Sequence, residues 1–413
     1  MSGFARSGSG ALTCDQVSLE ALAEEHGTPL YVYSAAAIQD AYRAYDQAFA
    51  ALPHRVCYAL KANSSGALLR LLVACGAGAD IVSGGELLAA LRAGFPPERI
   101  VFAGVGKTDA EIGLGIERGI GEWNAESEDE IGRIGRAAAA AGRVARVGLR
   151  VNPDIDPRSH PYISTGLHEN KFGVEIGRAV GILERARRLP GVAITGVQSH
   201  IGSQVGDLDA LAEAAQALAS LCGELRARGF GLETIDLGGG LAVDYEGGSG
   251  PTPAELASRI VPIVAPLGLR LLLEPGRSLV ARAGVLLTRV LYLKDNAKKR
   301  FVVVDAGMND LLRPALYEAR HRIEPVQERA MVLQQVDVVG PVCETGDFLA
   351  RGRMLPAVAV GELLAVRDAG AYGFSMASNY NMRARAAEVL VEDGLPRLVR
   401  RRESFEDLVR TEI

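Results

Sequence analysis

From residue 56 to residue 276 short β-rich runs alternate with helical stretches, and this rhythm restricts the fold more than any other feature. The runs are VCYAL (56–60), ADIV (79–82), IVFAG (100–104), EWNA (122–125), RVGLRVN (146–152), ITGVQSHIG (194–202), ETIDLGGG (233–240) and LRLLLEPG (269–276). Between them, GELLAALRAGF and SEDEIGRIGRAAAAAG carry apolar residues at three- and four-residue spacing, the pattern of helices with one buried face. Ser127 and Glu130 are placed for a capping box on the second of these. Eight βα units are the arithmetic of a (β/α)8 TIM-like barrel in the α/β class. A doubly wound open sheet uses the same units, and a count of strands leaves closure open.

After about residue 280 the rhythm changes. VLLTRVLYL, RFVVVDAG, QQVDVVGP and ELLAVRDAG read as strands joined by turns, which predicts a second, mainly β domain. TPLYVYS (28–34) is an isolated strand that can pair with it. The β domain is then built from both chain ends, residues 1–34 and 281–413, with the barrel, residues 35–280, inserted. The N-terminal MSGFARSGSG lacks the apolar centre of a signal peptide and reads as a flexible start.

Composition narrows the partners. The chain of 413 residues is long enough for two domains. A net charge of -5 without a basic stripe argues against nucleic acid, and Gly, Pro or charge interrupts every apolar stretch before it could span a bilayer. The five cysteines (14, 57, 75, 222 and 343) are scattered and show no CxxC spacing. That pattern argues against a disulfide framework or a bound metal and suits a reducing cytoplasm.

The chemistry-bearing residues fall at one end of the repeats. In a barrel, active-site residues sit at the C-terminal ends of the strands. Lys61 ends the first run and His200 the sixth. Gly238, Gly239 and Gly240 end the seventh, and Glu274, Gly276 and Arg277 the eighth. Singly, each has an ordinary explanation: a lysine leaving the core, a tight turn, a structural histidine. Chance would scatter them over both ends. Glycines after strands seven and eight match the usual phosphate site of barrels, where backbone N–H groups approach a ligand unobstructed by Cβ. In SHIGSQ the ring of His200 is followed by the bare backbone of Gly202 and the hydroxyl of Ser203. Glu274 stands behind leucines, and burying a carboxylate there is costly unless it meets a cation.

A buried-looking lysine, a phosphate cradle, a flat histidine and a carboxylate point to pyridoxal 5'-phosphate. That cofactor forms a Schiff base with a lysine and takes an acidic partner at its pyridine nitrogen when strong electron withdrawal is required. An arginine at that position would suit racemisation; Glu274 favours decarboxylation.

At these residues the chain resembles the barrel-type, pyridoxal-phosphate-dependent amino acid decarboxylases, and within them the diaminopimelate decarboxylases. The resemblance runs from GTPLYVY to RRRESFEDL. It rests on YALKAN, HPYISTGLHENKFG, SHIGSQ, LGGGL, LEPGRSLV, VVVDAGMNDLLRPALY, GPVCETGDFLA and GAYGFSMASNYN, in that order. It implies that Lys61 is the Schiff-base lysine and that His200 stacks on the cofactor ring. Ser203 and Gly240 would hold the phosphate, Glu274 the pyridine nitrogen, and Gly276 and Arg277 would lie at phosphate and substrate. Arg277, Arg313, Tyr317 and Glu344 would bind substrate, Cys343 would be the proton donor, and Tyr372 would contact cofactor and substrate. The implied reaction is decarboxylation of meso-2,6-diaminopimelate to L-lysine, the last step of lysine biosynthesis. The implied assembly is a homodimer whose C-terminal residues reach the partner's site.

The residue types agree with that substrate. Its far end carries both an ammonium and a carboxylate, so it needs an acid and a base. Glu344 suits the first, and the guanidinium forks of Arg277 and Arg313 suit the second. Ornithine or arginine presents no distal carboxylate. Taken alone, Arg313 would be a surface ion pair and Cys343 a small buried hydrophobe. The competing readings are a sister decarboxylase, a racemase-like enzyme and a non-catalytic cofactor-binding protein.

Overall fold

Eight short runs of β-formers become eight parallel strands: His54–Ala59, Gly78–Ile81, Ile100–Phe102, Glu122–Ala125, Ala145–Asn152, Val192–Gln198, Thr234–Asp236 and Arg270–Leu273. In this computed structural model, residues 3–156, 171–329 and 332–413 are described. Each of the eight strands pairs with the next, and the eighth returns to the first through Leu271↔His54, Leu272↔Arg55 and Leu273↔Val56. The ring is therefore a closed barrel and not an open sheet. Leu271, Leu272 and Leu273 are all buried, as in a parallel strand covered on both faces. Ala59 N–H donates to the Pro275 carbonyl at 3.2 Å, which carries the closure past the strand ends.

The helices between the strands start and stop where their sequences provide caps. Gly84–Ala93 begins at Ser83, whose hydroxyl accepts from Glu86 N–H, and ends on the left-handed Gly94. Glu128–Ala140 begins at Ser127, which accepts from Glu130 N–H at 3.2 Å. The expected capping box is only half formed. The Glu130 carboxylate goes to the buried Lys107 ammonium at 2.5 Å and to Glu126 N–H at 3.1 Å. A buried charge competes for that carboxylate more strongly than a backbone amide does.

The chain divides into two units: Ala41–Ala242 with Gly250–Ser278, and Met1–Asp40 with Val243–Ser249 and Leu279–Ile413. The second is a sheet unit. Its strand order is Phe348–Pro356, Leu333–Val339, Arg300–Val304, Gly284–Asp295, Leu30–Ser34, Ala387–Glu392, Leu395–Arg400. Leu363–Val366 also pairs with Gly284–Asp295, and Ile323–Pro325 with Leu363–Val366. Leu30–Ser34 lies in the middle, antiparallel to one neighbour and parallel to the other. Its alternation places Leu30 and Val32 in a core with Val285, Leu287, Val389 and Val391. On the opposite face, Tyr31 O–H donates to the Asp310 carbonyl and Tyr33 O–H to Glu388, both at 2.7 Å.

Two expectations are corrected in this unit. Residues 4–14 do not form a flexible start: Phe4–Arg6 pairs antiparallel with Leu12–Cys14, and Phe4 is buried in the same core as Leu30. One aromatic side chain with a core to enter outweighs the surrounding glycines and serines. The segment Val243–Ser249, expected within the barrel, belongs to the sheet unit, where Tyr245 O accepts from Arg322 N–H and Gly248 O from Arg282, both at 3.1 Å.

Among the described residues no helix is long and apolar enough to cross a membrane, and no group of acidic, histidine and cysteine side chains is arranged to hold a metal. All five cysteines are free.

Candidate active site

The barrel unit brings the expected rim residues to one end. Lys61 lies just beyond the first strand, in the single 3-10 turn Leu60–Ala62. Its loop is shaped by Asn63, whose side-chain oxygen accepts from Ser65 N–H at 3.0 Å and whose carbonyl accepts from Tyr58 O–H at 2.9 Å. The following helix, Gly66–Ala74, then leaves the rim. The lysine is not buried as its apolar approach implied: its side chain is 41% exposed. Its neighbours Leu60 and Ala62 are buried, and the turn directs the lysine side chain out between them. Nζ donates to Asp80 Oδ2 at 3.1 Å, and Asp80 is wholly buried on the second strand. Nearby, Glu86 accepts from Val82 N–H at 2.7 Å, and burial pushes its carboxyl up to about 7.

Glu274, just past the eighth strand, is buried, but its hydrogen bonds are not to a cation. Asn124 Nδ2 donates to Oε1 and Gln198 Nε2 to Oε2, both at 3.2 Å. The same Asn124 nitrogen donates to Asp236 Oδ2 at 3.0 Å, and Gly238 N–H donates to Asp236 Oδ1 at 2.8 Å. Burial pushes the Glu274 carboxyl well above the carboxylate range, and the neighbouring Asp236 and Asp80 add to the rise. Two amide donors thus take the place of the cation expected from the sequence, and burial is offset by hydrogen bonding and retention of a proton.

The glycine run forms a tight passage. A Cβ on Gly239 would lie 2.3 Å from the Glu274 carbonyl oxygen, and one on Gly240 (φ +114°) 2.4 Å from that of Gly202. Only bare backbone passes here. Gly239 N–H donates to His200 Nδ1 at 3.2 Å, so this nitrogen carries no proton. Burial holds the His200 imidazolium well below its ordinary range, and the positive charges of Arg150 and Lys61 lower it further. The ring is neutral. Arg277, buried at the start of the short helix Arg277–Val280, donates to Ser203 Oγ at 3.0 Å. That bond joins the loops after the sixth and eighth strands. Gly276 packs its Cα against Ala59 and Ala62, beside the lysine turn.

The remaining expected residues lie in the sheet unit, in three segments. Arg313 and Tyr317 bracket the helix Arg313–Tyr317. Arg313 is buried and no surface ion pair. It donates to His321 Nε2 at 2.8 Å and its guanidinium lies 4.4 Å from the ring centre of Tyr245. His321 Nδ1 donates to the Arg367 carbonyl at 2.8 Å, which makes the imidazole neutral and Nε2 an acceptor. Cys343 and Glu344 are exposed on a loop. Cys343 N–H donates to Asn381 Oδ1 at 2.8 Å. The loop is rooted by buried Asp347, which accepts from Met308 N–H and Val342 N–H, each at 2.6 Å. Tyr372 occupies a left-handed position, φ +56°. Most of HPYISTGLHENKFG lies outside the described residues; its last residue, Gly173, donates to Glu126 Oε2 at 2.6 Å.

Sequence reasoning passed over Asp80, Asn124, Gln198 and Asp236. Each is a buried polar residue inside a run already read as a strand. The argument applied to Glu274, that a polar group among apolar neighbours needs a reason, would have found them.

Comparison with known proteins agrees with this geometry. Residues 35–281 match the family described as pyridoxal-dependent decarboxylase, pyridoxal binding domain. The chain is 47% identical over 401 residues to the diaminopimelate decarboxylase of Aquifex aeolicus, covering 97% of this chain and 95% of that one. It is 50% identical over 397 residues to that of Pseudomonas aeruginosa, covering 96% and 95%. The crystal structure of diaminopimelate decarboxylase from M. jannaschii in co-complex with L-lysine superposes with a TM-score of 0.95 at 39% identity, covering 100% of this chain and 99% of that one. This chain therefore belongs to the pyridoxal-dependent decarboxylases, and within them to the diaminopimelate decarboxylase family.

Proposed function

We propose that this chain removes carbon dioxide from meso-2,6-diaminopimelate to give L-lysine, the last step of lysine biosynthesis, with pyridoxal 5'-phosphate held at the barrel rim. The observation that carries the reading is the meeting of an anchored amine, Lys61, a buried acid, Glu274, and a bare-backbone glycine loop at one end of one barrel. The donor set fits the cofactor: an amine for its aldehyde, a nest without Cβ for its phosphate, an acid for its ring nitrogen, and a neutral imidazole for its face. When bound, the cofactor withdraws the electrons released as the Cα–carboxylate bond breaks.

The chain's own residues supply the rest. Lys61 is the covalent anchor, and Asp80 directs its amine. Glu274 faces the ring nitrogen with both oxygens fixed by amides. Ser203, Gly240, Gly276 and Arg277 would hold the phosphate, with Arg277 also at the substrate, and His200 would offer its face to the ring. Cys343 delivers the proton that replaces the carboxylate. Glu344 takes the distal ammonium, Arg313 and Tyr317 the distal carboxylate, and Tyr372 contacts both molecules. The barrel unit forms the cofactor domain, and the sheet unit, which includes Val243–Ser249, provides substrate and dimer contacts. The sites are shared across a homodimer in the cytoplasm, a compartment suited to five unpaired cysteines.

The test is carbon dioxide release from a panel of amino acids by the cofactor-loaded protein. We expect meso-diaminopimelate to exceed lysine, ornithine and arginine by at least about 100-fold in kcat/KM. Ornithine or arginine turned over as well as diaminopimelate would sink the assignment.

A further inference from the structure

Behind Glu274 stands a second carboxylate that the reaction as described leaves unused. Asp236 ends the seventh strand and is 1% exposed. Its two oxygens face different parts of the rim. Oδ1 accepts from Gly238 N–H at 2.8 Å, the first amide of the glycine loop. Oδ2 accepts at 3.0 Å from Asn124 Nδ2, which also donates to Glu274 Oε1 at 3.2 Å. One amide nitrogen has two protons, and here each is spent on a different carboxylate. The Asn124 backbone is itself held: its main-chain carbonyl accepts from Lys107 Nζ at 2.9 Å, and Lys107 is pinned by Glu130.

We propose that Asp236 is a positioning residue for Glu274, holding it through Asn124 and linking its orientation to the glycine loop through Gly238. The inference rests on the reading above, in which Glu274 meets the ring end of the cofactor and the glycine loop its phosphate end. The two ends are then one mechanical unit. A shift of the glycine loop at Gly238 would pass to Asp236, and from Asp236 through Asn124 to Glu274. The link is also direct and electrostatic. The two carboxyls are hydrogen-bonded to each other, and the negative charge of Asp236, with that of Asp80, favours a proton on Glu274 while Lys61 opposes it.

The experiment strips the cofactor, rebinds pyridoxal 5'-phosphate to Asp236→Asn, Glu274→Gln and the double variant, and reads affinity and visible absorbance against pH. Far-UV circular dichroism reports folding. We expect Asp236→Asn to weaken cofactor binding about 10- to 100-fold, the scale of one charge-assisted contact. The pH midpoint of the absorbance change should move down, because a charge that retains protons is gone. In the Glu274→Gln background the same substitution should add little, since the two act as a unit. Asn124→Leu, which removes the bridge and leaves both carboxylates, should show the same non-additivity and serves if Asp236→Asn does not fold. Wild-type affinity and pH profile in Asp236→Asn or Asn124→Leu would overturn the proposal, as would losses that simply multiply in the double variant. A Glu274→Gln protein with unaltered affinity and spectrum would instead overturn the placement of Glu274 at the ring.

Discussion

The barrel rim and the loops of the sheet unit solve the same problem in opposite ways. On the rim the side chains are fixed. Asn124, Gln198 and Asp236 from three strands and Glu274 just past a fourth are all buried and hydrogen-bonded in one network. On the Cys343–Glu344 loop of the sheet unit it is the backbone that is held, and the side chains face outward. Cys343 and Glu344 are exposed, while Asn381 holds the Cys343 amide and Asp347 holds the loop root. The difference teaches which groups must be in place beforehand. Electrostatic partners of an electron sink act best when pre-oriented in a dry site. A proton donor and a substrate clamp have to meet a molecule that comes and goes.

The largest expected effect breaks the rim side of that contrast. Lys61→Ala should abolish turnover and the visible absorbance that survives dialysis, because no other side chain offers the amine. Asp80 loses its ion pair in this variant, so the melting curve should be recorded beside the assay. Turnover persisting after dialysis would remove Lys61 from its role. Next comes the sheet side. Mixing inactive Lys61→Ala with inactive Cys343→Ala subunits should recover about a quarter of wild-type activity, since half of randomly mixed dimers carry one sound site of two. Confirmed subunit exchange without recovery would show that each chain completes its own site.

A smaller loss is expected at Arg313, a sheet-unit residue that resembles the rim in being buried and cross-bonded. Arg313→Lys keeps the charge but gives up the fork, and should lower kcat/KM for meso-diaminopimelate about 10- to 100-fold. The slow reaction with L-lysine should fall much less. Equal losses on both substrates would mean that its bond to His321 serves the fold and not the distal carboxylate.

The smallest effect on turnover, none, is expected at Glu122. This carboxyl is in the same barrel interior, accepts from Thr234 Oγ1 at 2.7 Å, and is pushed up to about 7 by burial. Its folded pKa exceeds the unfolded one, so the stability it contributes is complete below the unfolded value and is lost as pH rises toward 7. Glu122→Gln should flatten that decline and raise the melting temperature at neutral pH while leaving kcat unchanged. An unaltered slope of stability between pH 4.5 and 7 would show that Glu122 is ionised in the fold.

How much of this was legible depends on what each residue needs around it. Glu274 stood out because it ends an apolar run beside Pro275 and glycine, where local chemistry suffices. Asp80, Asn124, Gln198 and Asp236 did not, because one polar residue inside a strand gains meaning only when closure turns it inward beside the others. Lys61 was read correctly in position and wrongly in burial: the run before it is buried, but strand pairing stops at Ala59. The strands Phe348–Pro356 and Leu395–Arg400 escaped notice for a different reason. They are the two edges of the sheet, and Arg351, Arg353, Arg397 and Arg400 give them the charged, exposed pattern by which edges resist pairing with other chains.

The central place of Leu30–Ser34 in its sheet has a consequence for synthesis. Its neighbours are Gly284–Asp295 and Ala387–Glu392, so the first of them leaves the ribosome about 250 residues later. At roughly 5–20 residues per second, that strand waits on the order of tens of seconds without a partner. All of the barrel strands emerge in the interval. A nascent LYVYS, apolar on one face and aromatic on the other, therefore spends that interval with both edges unpaired, the state in which a strand is most open to pairing with another chain.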